Sequence, residues 1–253
     1  MVLALTGTAA GVDQKGPQSY YLALGDSIAY GFDPGKRPRP SPADTGFVDP
    51  FAARLRKLSP KIAVVNYGCP GESSVTFAKG GCPFPREGGK LHDPYRGAQL
   101  KAALAFLKAH KRQVSPITLT LWGNDLAPLS AKGKGAPKAI ASFASRLDSI
   151  LKQLRSAAPK AEIIVTGAWN LEVDQVKKTQ PLYRSLDAAI AQTAAASRAR
   201  VANMYAVFNP PRNVRRVCAL SYICAEGDPH PNGAGYRAMA EAFFAASGYA
   251  RRP

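Results

Sequence analysis

Apolar runs and helical stripes alternate along this chain from one end to the other. Tyr20–Leu24 is a short apolar run that stops at a glycine, the pattern of a buried strand. Val48, Phe51, Ala52, Leu55 and Leu58 then fall on one helical face, and Asp49-Pro50 reads as an N-cap followed by proline at the first helical position. Ile62–Tyr67 predicts a second strand. Leu100, Ala103, Leu104 and Leu107 predict a helix, and Ile117–Trp122 a third strand. Ile140, Phe143, Leu147, Ile150, Leu151 and Leu154 form the cleanest stripe. Glu162–Thr166 reads as the fourth strand, Leu182–Arg200 as an Ala-rich helix, Val201–Val207 as the fifth strand and Ala234–Ala246 as the closing helix.

Repeated β–α units with continuously apolar strands imply a parallel sheet covered by helices on both faces. With no internal repeat and no linker, residues 17–253 read as one α/β domain. Ligands of such sheets sit beyond the carboxyl ends of the strands. The long irregular segments 28–48, 69–98, 170–180 and 208–232 fall there, whereas the opposite connections, such as Ser59-Pro60 and Ala158-Pro159, are short. That asymmetry marks the edge that carries function.

Each strand end on that edge offers a reactive or polar residue. The first ends in Leu24-Gly25-Asp26-Ser27-Ile28, a serine beside glycine that can present its hydroxyl into a cleft or be ordinary turn chemistry. The second runs into Asn66-Tyr67-Gly68-Cys69-Pro70-Gly71-Glu72-Ser73, where Gly68 is either an unobstructed backbone donor or a turn glycine. The third ends in Trp122-Gly123-Asn124-Asp125, where Asn124 can aim an amide at the same place or close a turn. Asp228-Pro229-His230-Pro231-Asn232 precedes the last helix, and a histidine between two prolines has the stiff backbone a positioned base requires. His92 and His110 have no comparable setting. A serine, a base and two donors converging from separate segments are what acyl transfer needs.

Taken in order, these blocks resemble the SGNH/GDSL hydrolase family. Gly25-Asp26-Ser27 is similar to its nucleophile block, Gly68 to its second-block glycine, Gly123-Asn124-Asp125 to its Gly-x-Asn-Asp, and His230 to its last-block histidine, over roughly residues 20–247. The resemblance implies a three-layer α/β/α sandwich with a flavodoxin-like five-stranded sheet, ester hydrolysis, no metal and no cofactor. It also implies Ser27 as nucleophile, His230 as base, and an oxyanion hole of Ser27 N–H, Gly68 N–H and the Asn124 side chain. The Gly-x-Ser-x-Gly elbow of other serine hydrolases is absent, because Ala29 stands at its second glycine. The family's Asp-x-x-His block would put the acid at position 227, which is Gly227. Asp228 is the choice for orienting His230, with Glu226 and a backbone carbonyl as alternatives. Asp26 and Asp125 read as loop-holding residues. Trp122 and Trp169 end two strands and are candidates for an acyl pocket, with core packing as the alternative.

Composition refines this picture. Lys and Arg number 34 against 17 Asp and Glu, a formal net charge of +17. The clusters Lys36-Arg37, Lys111-Arg112, Lys177-Lys178 and Arg212 with Arg215-Arg216 are scattered, which fits a solvated basic surface or association with anionic membranes, polymers or substrates. No nucleic-acid-binding signature accompanies them. Four cysteines without a Cys-x-x-Cys pair, and three histidines, speak against zinc. The pairings Cys69–Cys82 and Cys218–Cys224 close short loops and predict an oxidising compartment, hence a secreted, extracellular protein. Met1–Leu5 and Thr8-Ala9-Ala10-Gly11 resemble the end of a signal peptide, so residues 1–16 are expected to be a disordered remnant. No run is long enough to span a membrane. Expected partners are a small-molecule, lipid or polymeric ester, and the chain reads as a monomer. Three functions compete: esterase or lipase action on acyl esters, O-deacetylation of polysaccharide by the same machinery, and a catalytically idle relative binding carbohydrate or membrane through its basic surface.

Overall fold

The computed structural model describes residues 16–35 and 45–251. The expected N-terminal remnant, apart from Gly16, and the Lys36-Arg37 cluster lie outside the described residues. The first β–α units are β1 (Tyr20–Gly25), α1 (Ser27–Tyr30), α2 (Val48–Arg56), β2 (Ala63–Asn66), α3 (Ser74–Lys79), α4 (Gln99–Ala109), β3 (Val114–Thr120) and α5 (Gly123–Leu126). They are followed by α6 (Ala136–Ala157), β4 (Ile163–Thr166), α7 (Val176–Ala196), β5 (Arg200–Ala202), α8 (Met204–Phe208), α9 (Val217–Leu220), α10 (Ile223–Glu226) and α11 (Gly233–Ala246). The five strands are all parallel, in the order β2-β1-β3-β4-β5. Helices α2 and α11 pack together on one face, and α4, α6 and α7 pack in succession on the other.

Burial explains the strands. Tyr21, Leu22, Ala23 and Leu24 are fully buried, as are Ile163 and Ile164, because helices cover both faces of the sheet. The β1–β3 register shifts between Tyr20 and Leu22, opposite Ser115-Pro116. Pro116 has no N–H for the ladder, so the pairing is irregular there. The stripe predicted on α6 is buried at every position from Ile140 to Leu154, and α6 is the longest helix among the described residues.

Four readings of element boundaries are corrected. The segment expected to continue as a strand to Val207 leaves the sheet after Ala202. Asn203 turns it into α8 by accepting a hydrogen bond from Ala206 N–H, a local side-chain cap that outcompetes the apolar run. Asp49 lies in the first turn of α2 rather than at its cap, which is Phe47. Helix α7 begins at Val176 with Pro181 inside it. Its first turn is held from outside, where Asn170 Nδ2 donates to Val176 O and to Thr179 Oγ1. Within 69–98, read as irregular, α3 forms behind a capping box made by Ser73 and Thr76.

Candidate active site

The carboxyl edge of β1 is shaped by close approach. A Cβ on Gly25, which has φ +128°, would lie 2.0 Å from Thr120 O, so only glycine lets β1 and β3 end side by side here. The pairing of β1 with β2 stops at Ala23↔Asn66. Beyond it Gly25 O still accepts from Cys69 N–H at 2.9 Å, and a side chain joins in: Gln99, fully buried, accepts from Gly25 N–H at 2.6 Å and donates to Gly25 O at 2.9 Å. Asp26 then caps α1 by accepting from Ile28 N–H at 3.0 Å and from Thr120 Oγ1 at 2.8 Å. Burial raises the Asp26 carboxyl to about 6, only partly offset by these hydrogen bonds.

Ser27 is the first residue of α1, and its backbone N–H has no hydrogen-bond partner among the described residues. Its Oγ lies 2.8 Å from His230 Nε2. His230 Nδ1 lies 2.6 Å from Asp228 Oδ1, and the same oxygen accepts from the His230 backbone N–H at 2.9 Å. With the proton on Nδ1 facing the carboxylate, Nε2 is left to accept from the serine hydroxyl. The His230 contact holds the Asp228 carboxyl below the usual carboxylate range. Glu226, the alternative acid, ends α10, and it is Asp228 rather than Glu226 that meets the His230 ring.

The imidazole is held from its other sides as well. The ring of Phe32 packs against it, with centroids 4.6 Å apart. The carbonyl of His230 accepts from Tyr222 N–H, and the Tyr222 hydroxyl donates to Asp33 Oδ1 at 2.8 Å. Tyr222 lies within the loop closed by the Cys218–Cys224 disulfide. Asp33, Phe32 and Tyr222 carried no signal in the sequence, because their spacing from His230 follows only from the fold.

Asn124 is exposed on α5, and its Nδ2 donates to Glu72 O at 2.9 Å, leaving the second amide hydrogen free. Trp122, just before α5, has φ +147°, a conformation costing about 1–3 kcal/mol that turns the chain sharply out of β3. Asp125 accepts from Ser74 N–H and Oγ and pairs with Arg146, so it holds α3 in place, as its turn setting suggested.

Gly68 differs from the expectation. Its N–H donates to Asn66 Oδ1 at 2.8 Å, and it is not among the residues lining the cavity at Ser27. A Cβ there would lie 2.4 Å from Tyr30 N and 2.7 Å from Ala29 C, so glycine is needed where the β2 loop passes α1. Gly68→Ala should therefore shift α1, lowering Tm by roughly 2–10 °C and reducing kcat. Thermal melts and initial rates showing no change in either would refute this close-approach role. The amide of Gly71, one residue before the carbonyl that holds Asn124, donates to no acceptor among the described residues.

A cavity of about 310 Å³ opens from Ser27 and His230. Trp122 and Trp169 both line it and are both buried, meeting edge to face with centroids 4.9 Å apart. Pocket wall and core are thus the same two rings. The disulfides Cys69–Cys82 and Cys218–Cys224 are both formed. Among the described residues the one cluster of metal-type donors is Cys69, Glu72 and Cys82, and its two sulfurs are bonded to each other.

A parallel sandwich holding serine, imidazole and carboxylate in one hydrogen-bonded line is the arrangement of a serine hydrolase. The chain belongs to the GDSL-like lipase/acylhydrolase family, whose model matches residues 23–238, and it is a carboxylic ester hydrolase. Its fold is similar to that of acetylxylan esterase Axe2 from Geobacillus stearothermophilus, at 17% identity and a TM-score of 0.59, covering 91% of this chain and 94% of that one. It is also similar to the lipase Lip_vut3 from a goat rumen metagenome, at 20% identity and TM-score 0.60, covering 92% and 98%. The α/β hydrolase LAE5 from the Lake Arreo metagenome, Spain, matches at 18% identity and TM-score 0.59, covering 94% and 98%. No curated protein shows significant similarity to the chain.

Proposed function

We propose that this hydrolase works by acyl transfer through Ser27, with His230 as base and Asp228 as the group that orients it. The hydrogen-bonded line from Ser27 Oγ through His230 to Asp228, at 2.8 and 2.6 Å, carries this reading. Neutral His230 takes the hydroxyl proton at Nε2 while Ser27 Oγ bonds to the ester carbonyl carbon. As the tetrahedral intermediate collapses, the carbon–alkoxy bond breaks and the alcohol leaves with the proton from Nε2. Water then attacks the acyl-enzyme, giving its proton to Nε2, and Ser27 recovers a proton as the acid departs. The oxyanion is held by Ser27 N–H and the free amide hydrogen of Asn124. As the third donor we choose Gly71 N–H, which donates to no acceptor among the described residues, over Gly68, whose donor is already occupied.

Asn124→Ala tests this arrangement. It should lower kcat by roughly 10²–10³ with little change in KM on p-nitrophenyl esters, since the donor acts mainly in the transition state. An unaltered kcat would reduce Asn124 to a turn residue. De-O-acetylation of polysaccharide is a second reading, favoured by the likeness to an acetylxylan esterase. Release of acetate from acetylated xylan, assayed beside the p-nitrophenyl esters, separates the two. A catalytically idle binding relative is disfavoured by the assembled Ser27–His230–Asp228 line. We further propose an extracellular setting, supported by two disulfides and by no described helix being long and apolar enough to cross a membrane. The net charge of +17 supports association with anionic surfaces there.

A further inference from the structure

Among the described residues, the cavity at Ser27 is lined by no Lys or Arg, although the chain has 34 basic residues. Away from Ser27, Asn124 and His230, its apolar walls include Trp122, Trp169, Leu121, Leu171 and Ala127, and Asp26 lines it too, its carboxylate already accepting from Ile28 N–H and Thr120 Oγ1. Two threonines interrupt this surface. Thr120 already donates its hydroxyl to Asp26, and both Thr120 and Thr166 are almost fully buried. Such a wall offers nothing to a carboxylate or phosphate, and too few partners to replace the water around a sugar ring.

The direction in which the ester lies follows from the proton. His230 must protonate the leaving oxygen, so the alcohol departs past the imidazole, whose side chain is partly open to solvent. The acyl group then points the opposite way, past Asn124 and along the ends of β3 and β4, where the two tryptophans stand. A cavity of about 310 Å³ has room for an acyl chain of several carbons beyond the ester group. We infer that this cavity is an acyl pocket that selects neutral, unbranched chains well longer than acetyl, with Ala127, Leu171 and the Trp122–Trp169 pair setting the length. This rests on the acyl-transfer reading above. An acetyl group leaves most of the pocket filled only by water against apolar walls.

Burying one methylene is worth roughly fourfold in kcat/KM. The full chain should therefore cleave p-nitrophenyl esters with kcat/KM rising about fourfold per methylene from acetate to hexanoate, and falling again by dodecanoate. Hexyl acetate, which carries the chain on the alcohol side, should gain nothing over ethyl acetate. Ala127→Phe, at a half-exposed position that tolerates bulk, should lower the hexanoate-to-acetate ratio at least tenfold. Leu171→Trp should lower it in the same direction, so that a folding defect in one variant, seen by circular dichroism, leaves the other to decide. Acetate as the best substrate, a preference that follows the alcohol chain, or an unchanged ratio in both variants would each overturn the inference while leaving Ser27 chemistry intact. Failure to cleave any ester, with no labelling of Ser27 by a phosphonate, would instead remove the acyl-transfer reading and this inference with it.

Discussion

Ser27→Ala protein should fold normally and lose at least about 10⁴-fold in kcat on any ester the enzyme cleaves. The size of the effect follows from position. Ser27 Oγ is the atom facing His230 Nε2, and alanine leaves the base with nothing to deprotonate but water. The residual rate comes from the oxyanion donors and binding. Fold should be spared because Asp26, not Ser27, caps α1, and because the hydroxyl meets only the imidazole. Matching circular dichroism spectra and melting temperatures alongside the lost kcat would establish both halves. A variant that retains more than a few per cent of kcat would mean that another residue attacks the ester.

The second large effect is expected at Asp228. Asp228→Asn should cost up to about 10⁴-fold in kcat, the loss seen when a triad carboxylate becomes an amide. The present carboxylate accepts from both His230 Nδ1–H and the His230 backbone N–H through one oxygen, and it is held ionised by that contact. An amide at this position can present its NH₂ to Nδ1, which puts the ring proton on Nε2 and removes the acceptor Ser27 needs. Glu226→Gln should be nearly silent, since Glu226 ends a separate helical turn. If both amide variants keep near-normal kcat, His230 is oriented without a carboxylate and the enzyme runs as a Ser27–His230 dyad.

The geometry behind Asp228 was legible in the sequence in physical terms. Pro229 pushes the preceding residue towards extended backbone, where side chains two apart share a side. The order of β–α units was equally readable, because fully buried strands announce themselves as apolar runs and α6 as a clean stripe. What stayed hidden depends on contacts between distant segments. Gln99 clasps Gly25 across 74 positions of sequence, beside the backbone bond from Cys69 N–H, and nothing in its own helix marks it. Tyr222 and Asp33 brace the base across 189 positions. Gly68 and Gly71 stand in one loop, and only Gly68 read as a donor from the sequence. Only the fold reveals that the Gly68 donor is taken by Asn66. Local caps account for two other misreadings: Asn203 ends β5 early, and Ser73 starts α3 inside an apparent loop. Side-chain hydrogen bonds decided those elements where hydrophobic pattern was silent or misleading.

Covalent labelling reaches the central claim most directly. The native enzyme, treated with a serine-directed alkyl phosphonate and digested for mass mapping, should carry one phosphonyl group, on the peptide containing Ser27. Labelling should vanish in Ser27→Ala and slow sharply in His230→Ala. A label on Ser73 or Ser74 instead, or an active enzyme that takes up none, would contradict the assignment of Ser27 as the nucleophile.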